Sequence, residues 1–231
     1  MAPTDGRPTA ASAGRARTIA DKTTSWAYAE GFVPEGEALE RARARAEGLG
    51  MEVIGPGAGA VLRGLCVVAD ARSVVEVGTG VGVSGLWLLE GMPPDGVLTT
   101  IDTEAEHLRL ARQSFADLGV RPARIRGITG RAVDVLSRLT EGGYDLVLLD
   151  ADPLGVADYL DRAVRLLRPG GVLAVAGALH HDRVGDPARR DPITTAVRET
   201  TRAVRDHPLL VPTLLPVSGG LLLGVRRRAG G

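Results

Sequence analysis

The chain of 231 residues is short of several things that would direct it to particular chemistries. It has one cysteine. That residue, Cys66, sits in an apolar stretch, so an internal disulfide is unavailable and a reduced, cytoplasmic setting is expected. Aromatic residues are only 3% of the chain, which leaves few side chains to stack on bases or sugars. Lys plus Arg and Asp plus Glu each number 28, a balance that argues against a dedicated nucleic-acid binder. No apolar run approaches the ~20 residues that span a bilayer. The first residues also lack the apolar core of a secretion signal, so neither a membrane nor export is expected. The length suits one domain with a sizeable core.

What is present is a glycine-rich turn in a particular setting. Val74-Val75-Glu76-Val77 is a β-branched run carrying an acid, and Gly78-Thr79-Gly80-Val81-Gly82 places glycine at every second position before a helical pattern that starts near Ser84. Glycine lets backbone N–H groups and a helix N-terminus come close to a ligand. Glu76 at the strand end would repel the pyrophosphate of a dinucleotide and welcome a cationic or zwitterionic ligand. S-adenosylmethionine, with a sulfonium and an amino-acid head, fits that charge.

Strand and helix patterns alternate along the rest of the chain. Residues 1–20 read as a disordered tail, with an arm over a partner or over the site as the rival reading, and residues 21–231 as one domain. A charged helix opens at Pro34–Glu37 and runs to Arg45, and another covers Ala58–Ala69. Beyond the glycine turn, strands are expected at Val97–Ile101, Ala123–Ile128, Tyr144–Leu149 and Val172–Ala176. Helices are expected at Glu104–Leu118, Arg131–Leu139 and Val156–Leu167, the last stopped by Arg168-Pro169-Gly170-Gly171. Asp191-Pro192 caps a helix to about Asp206. Leu209–Leu215 and Leu221–Val225 flank Ser218-Gly219-Gly220 and read as a hairpin. Such alternation implies an α/β fold with a mostly parallel sheet covered on both faces.

In open α/β sheets ligands sit outside the carboxyl ends of the strands, so the polar residues there are the candidates. Asp102 lies where an acid could accept both ribose hydroxyls, or could cap the following helix. Ser84 is either a helix-start hydroxyl or a contact for a ligand carboxylate, and Thr79 offers its N–H. Asp150-Ala151-Asp152 leaves a strongly apolar strand, and two acids there are costly to leave unpaired. They are a catalytic or ligand-facing pair, or a cap. His180 and His181 follow the Val172 strand, where an imidazole could take a proton or could simply decorate a loop. His107 and His207 read as structural.

These residues resemble the class I S-adenosylmethionine-dependent methyltransferases. More narrowly, the chain resembles the caffeoyl-CoA and catechol type O-methyltransferases, in their small actinobacterial branch. The resemblance spans roughly Glu35 to Arg226. It rests on Val75 through Ser84, Thr100-Ile101-Asp102, Leu149-Asp150-Ala151-Asp152, Leu166 through Gly171, and Asp186 through Asp191. It implies a single Rossmann-like domain, a seven-stranded sheet with an antiparallel C-terminal hairpin, and a homodimer. It also implies that Glu76, Gly78, Thr79, Gly80 and Ser84 hold the methionine part of the cofactor. Asp102 and Thr103 would bind ribose, Ala132 would lie against adenine, Ile54 would meet the cofactor through its backbone, and Asp152 would lie near its amino group. Asp150 matches the family's first metal ligand or substrate-facing acid. The second ligand pair of metal-dependent members, Asp-Asn, is matched here by the side-chain-poor Ala176-Gly177-Ala178, and the lysine after Asp-Ala-Asp is replaced by Pro153.

The resulting expectation is transfer of a methyl group to the hydroxyl of a small acceptor, aromatic or not, without a divalent metal site. Asp150 is the expected base, with His180 or His181 as rivals. A S-adenosylmethionine-binding regulator or assembly partner without catalysis is the alternative. A nicotinamide oxidoreductase is a third reading, opposed by Glu76.

Overall fold

The computed structural model describes residues 23–228; the expected tail at 1–20 lies outside the described residues. Residues 23–30 form α1, followed by α2 (Glu37–Gly48) and α3 (Pro56–Val68). Pro56 stands at the first turn of α3, where a missing N–H costs nothing. Five strands then alternate with helices. They are β1 (Ser73–Val77), β2 (Val97–Asp102), β3 (Ile125–Thr129), β4 (Tyr144–Leu149) and β5 (Leu167–Ala176). The intervening helices are α4 (Val83–Gly91), α5 (Ala105–Asp117), α6 (Ala132–Val135) and α7 (Leu160–Leu166). The chain closes with α8 (Pro192–Asp206), β6 (Leu210–Leu215) and β7 (Leu221–Arg226).

The sheet order is β3-β2-β1-β4-β5-β7-β6. β1 to β5 are parallel, and β7 runs antiparallel between β5 and β6, the hairpin the sequence implied. Side-chain alternation in β1 divides the core. Val74 faces a layer with Leu62 of α3, Leu86 and Trp87 of α4 and Phe115 of α5. Val75 and Val77 face Val135 of α6, Leu160 of α7 and Val204 of α8. α4 is buried along nearly its whole length, and Gly59 of α3 leaves the space that the Trp87 indole fills.

Three stretches differ from expectation. The helix expected at 131–139 is a single turn of α6 followed by a 3-10 turn at Leu136–Arg138. The helix expected from Val156 is a 3-10 segment, Pro153–Asp158, then α7. The break falls at Tyr159, whose φ of −130° leaves the helical region. Arg168–Gly171 does not end a helix outside the sheet. It lies within β5, where Leu167 pairs with Tyr144 and pairing resumes only at Val172 with Leu146. Pro169 is tolerated because this bulged stretch makes no ladder bonds. Arg168 Nε donates to Asp145 Oδ1 at 2.6 Å, while Asp145 Oδ2 accepts from the N–H groups of Arg72 and Ser73 at 2.7 and 2.8 Å. The Arg-Pro-Gly-Gly turn thus locks the start of β5 to the start of β1.

Candidate active site

The exits of β1, β2 and β4 are drawn together by backbone bonds. Gly78 N–H donates to Ile101 O at 2.9 Å, and Asp150 N–H donates to Val77 O at 2.8 Å. Gly78 has φ +96°, and a Cβ there would overlap the carbonyl oxygen of Asp150. Only glycine permits this approach. A cavity of about 470 Å³ opens over the three exits. Gly78, Thr79, Gly80, Ser84, Asp102, Thr103, Ala132, Asp150 and Asp152 all line it.

Glu76 does not. It is fully buried and lies one layer behind the wall, on the α4 face of β1. Its Oε1 accepts from the Ser84 hydroxyl and its Oε2 from the Thr100 hydroxyl, both at 2.6 Å. Thr100 Oγ1 lies in turn 2.6 Å from Thr79 Oγ1. Burial pushes the Glu76 carboxyl up to about 7 against the pull of its two hydrogen bonds, with the Asp150 and Asp102 charges adding to the rise. Glu76, expected to meet a ligand, is thus placed behind the wall, where it aims Ser84, and Ser84 reaches the cavity.

Asp102 gathers the glycine turn. Its Oδ2 accepts from the N–H groups of Thr79 and Gly80 at 3.1 and 3.0 Å, and its Oδ1 from Glu104 N–H at 3.0 Å. The Thr79 amide expected to serve the ligand is thus directed at Asp102. His107, expected to be structural, places Nδ1 3.1 Å from Asp102 Oδ1 and lines the cavity. Its position one turn into the helix after Asp102 was the signal for it. Asp150 has no hydrogen-bonding partner for its carboxyl among the described residues, and burial pushes it up to about 6. Asp152 Oδ1 accepts from Leu154 N–H at 3.0 Å and so caps the 3-10 segment while facing the cavity.

Ile54 and the His pair stand apart from the cavity. Ile54 is buried in the core at 5% exposure, and its neighbours Met51, Glu52 and Val53 line the wall instead. His180 and His181 do not line the cavity. Their loop is tied to the hairpin turn by the N–H groups of Ala178 and Leu179 bonding to Gly220 O and Gly219 O. His180, His181 and Asp182 all have positive φ, and His180 Nε2 is buried without a partner. His181 Nε2 approaches Glu52 Oε2 at 3.6 Å. Gly155, Asp158 and Tyr159 complete the wall. None of these was singled out from the sequence, because the segment reads as plain helix there.

No group of three or more His, Cys, Asp or Glu is placed to hold a metal ion among the described residues, and the β5 exit beside Asp150 offers only Gly177 and Ala178. No helix of the described residues is long and apolar enough to cross a membrane.

Comparison with known proteins agrees with this geometry. A family model described as O-methyltransferase matches residues 34–228. A Mycobacterium tuberculosis protein named a probable O-methyltransferase is 51% identical over 201 residues, which is 87% of this chain and 90% of the relative. A Corynebacterium glutamicum crystal structure superposes with a TM-score of 0.81 at 30% identity, covering 87% of this chain and 94% of that one. The O-methyltransferase TomG of Streptomyces achromogenes, involved in tomaymycin synthesis and solved with S-adenosylmethionine, gives a TM-score of 0.77 at 28% identity, covering 87% and 94%. With a family model matched over residues 34–228 and a sheet whose strand exits form one lined cavity, this chain belongs to the O-methyltransferase family of S-adenosylmethionine-dependent enzymes.

Proposed function

We propose that the cavity binds S-adenosylmethionine and that Asp150 takes the proton from the hydroxyl of a small acceptor as its oxygen is methylated, without a resident metal ion. The observation that carries this reading is the Asp150 carboxyl itself: it lines the cavity, is half-buried, and has no competing partner among the described residues.

Asp102 and Thr103 would hold the ribose, Ala132 would lie against the base, and Ser84, aimed by Glu76, would meet the amino-acid end. When bound, S-adenosylmethionine supplies an electrophilic methyl on its sulfonium. The cavity is acidic, with Glu52, Asp102, Asp150, Asp152 and Asp158 against Arg131 and His107, which suits a cationic donor. The protein's main contribution is to align the two reactants and exclude water. Asp150 adds a base. A carboxyl at about 6 is mostly ionised at neutral pH yet more basic than an exposed aspartate. Its Oδ accepts the hydroxyl proton while the new O–C bond forms and the C–S bond breaks.

The test is a labelled-methyl assay on a panel of phenols, catechols and aliphatic alcohols, run with magnesium and with EDTA, beside calorimetric titration with S-adenosylhomocysteine. Transfer that survives EDTA supports the reading. Transfer abolished by EDTA and restored by magnesium overturns the metal-free part. Tight binding of S-adenosylhomocysteine without transfer to any acceptor favours the regulatory alternative. On the resemblance we also propose a homodimer, which light scattering of the purified chain would check, and on the single cysteine a cytosolic setting.

A further inference from the structure

Tyr159 is one of only three tyrosines in the chain. It stands between the 3-10 segment Pro153–Asp158 and α7, and its ring is 6% exposed. It packs in the same apolar layer as Val77, Ile101 and Val156, with Ala132 against that layer. Tyr159 nevertheless lines the cavity, and its hydroxyl has no partner among the described residues. A buried tyrosine O–H usually finds a hydrogen bond, so this one is set to donate to something the cavity holds.

Its place within the cavity identifies the recipient. Asp102 marks the ribose end of the donor site. Outward from β2 the wall continues with Gly130, Arg131, Ala132 and Val133 after β3. The segment bearing Tyr159 crosses to that same wall: Arg162, three residues further on, donates from Nη1 to Val133 O at 2.6 Å. Tyr159 therefore stands on the Ala132 side of the cavity, beyond Asp102. Burial, with Asp152 and Asp158 nearby, pushes its phenol up to about 12, so at neutral pH it is a donor and never a base. A purine base at this place presents ring nitrogens with lone pairs, which need such a donor.

We propose that Tyr159 selects the adenine of the cofactor by donating its phenolic hydrogen to a ring nitrogen of the base. The inference rests on S-adenosylmethionine occupying the cavity. One neutral hydrogen bond made in a largely dry site sets the size of the effect.

The test is calorimetric titration of wild type and Tyr159→Phe with S-adenosylhomocysteine and with analogues in which one adenine ring nitrogen at a time is replaced by carbon. Phenylalanine keeps the ring in its apolar layer, and an unchanged thermal midpoint would confirm that the fold is kept. Tyr159→Phe is expected to bind S-adenosylhomocysteine about five- to tenfold more weakly. One carbon analogue should bind wild type with the same deficit and lose nothing further in the variant. Equal binding of S-adenosylhomocysteine by both proteins overturns the inference. So does an equal loss across all analogues, which would mean lost packing, and so does a raised acceptor KM with donor affinity intact. Each of those leaves the cofactor site standing. Failure of wild type to bind S-adenosylhomocysteine would remove the cofactor reading and this inference with it.

Discussion

Glu76, fully buried in β1, and Asp150, half-buried just past β4, are acids at neighbouring strand ends, and their surroundings give them separate work. Glu76 is enclosed by the hydroxyls of Ser84 and Thr100, while Asp150 opens onto the cavity. Glu76 rises from 4.5 to about 7 in the fold, so between those values the native state keeps a proton that the unfolded chain has released. The stability this confers is fully present below about pH 4.5 and lost as pH rises through 7, an effect on the order of 3 kcal/mol. Glu76→Gln has no such proton to lose. In urea unfolding, its stability relative to wild type should improve by up to about 3 kcal/mol between pH 4.5 and 8; parallel pH profiles would count against a buried, protonating Glu76. For Asp150 the readout is rate. Acceptor kcat/KM should climb with pH to a plateau above about 6, where the carboxyl is ionised. Asp150→Asn should lower kcat by roughly 10²-fold or more if it is the general base, with the affinity for S-adenosylhomocysteine within a fewfold of wild type. The acid at the end of β1 was legible in the sequence. That it stands behind the wall was not, because this depends on Thr100, a partner 24 residues away.

Elements carry these residues, and two glycines show how differently the fold uses the same side-chain freedom. Gly78 and Gly119 both have positive φ, +96° and +77°. Nothing would meet a Cβ on Gly119, whereas one on Gly78 would run into the backbone of Asp150. Gly119→Ala should therefore cost about 1 kcal/mol, the conformational penalty alone. Gly78→Ala should cost several times more and should also abolish activity in whatever protein folds, because the β4 exit must retreat. Equal losses in a paired urea titration would show that the close approach of the strands is unimportant. The strand–helix alternation, the proline start of α8 and the C-terminal hairpin were readable because each has a local signal: apolar period, cap residue, turn residues. The short α6 and the bulged start of β5 were not. The start of β5 is held by Asp145 joining Arg168 to Arg72 and Ser73, residues brought together only by the sheet.

At the scale of the whole molecule, the first described helix is clasped to the last hairpin. Glu30 accepts from Ser218 N–H and from Gly57 N–H, both at 3.0 Å, and from the Ser218 hydroxyl. Ser218 Oγ in turn accepts from Ala58 N–H at 2.9 Å, and Trp26 Nε1 donates to Pro216 O at 2.6 Å. A carboxylate thus sits on the N-terminus of α3, where free N–H groups and the helix dipole favour negative charge. No local pattern betrays such a contact, since Glu30 and Ser218 are 188 residues apart in sequence. The loop that this clasp steadies, between α2 and α3, carries Met51, Glu52 and Val53 into the cavity wall. Stability and ligand binding should therefore fall together when it is cut. Glu30→Ala leaves two α3 amides without their acceptor network, a loss on the order of 1–2 kcal/mol. Amide hydrogen exchange should quicken at residues 51–58 and 216–219 but stay unchanged in β2, and the affinity for S-adenosylhomocysteine should weaken a few-fold. Trp26→Phe, which removes one exposed hydrogen bond, should leave residues 51–58 protected. If exchange in that loop is the same in Glu30→Ala as in wild type, α1 is a passenger on the hairpin and the cavity wall stands without it.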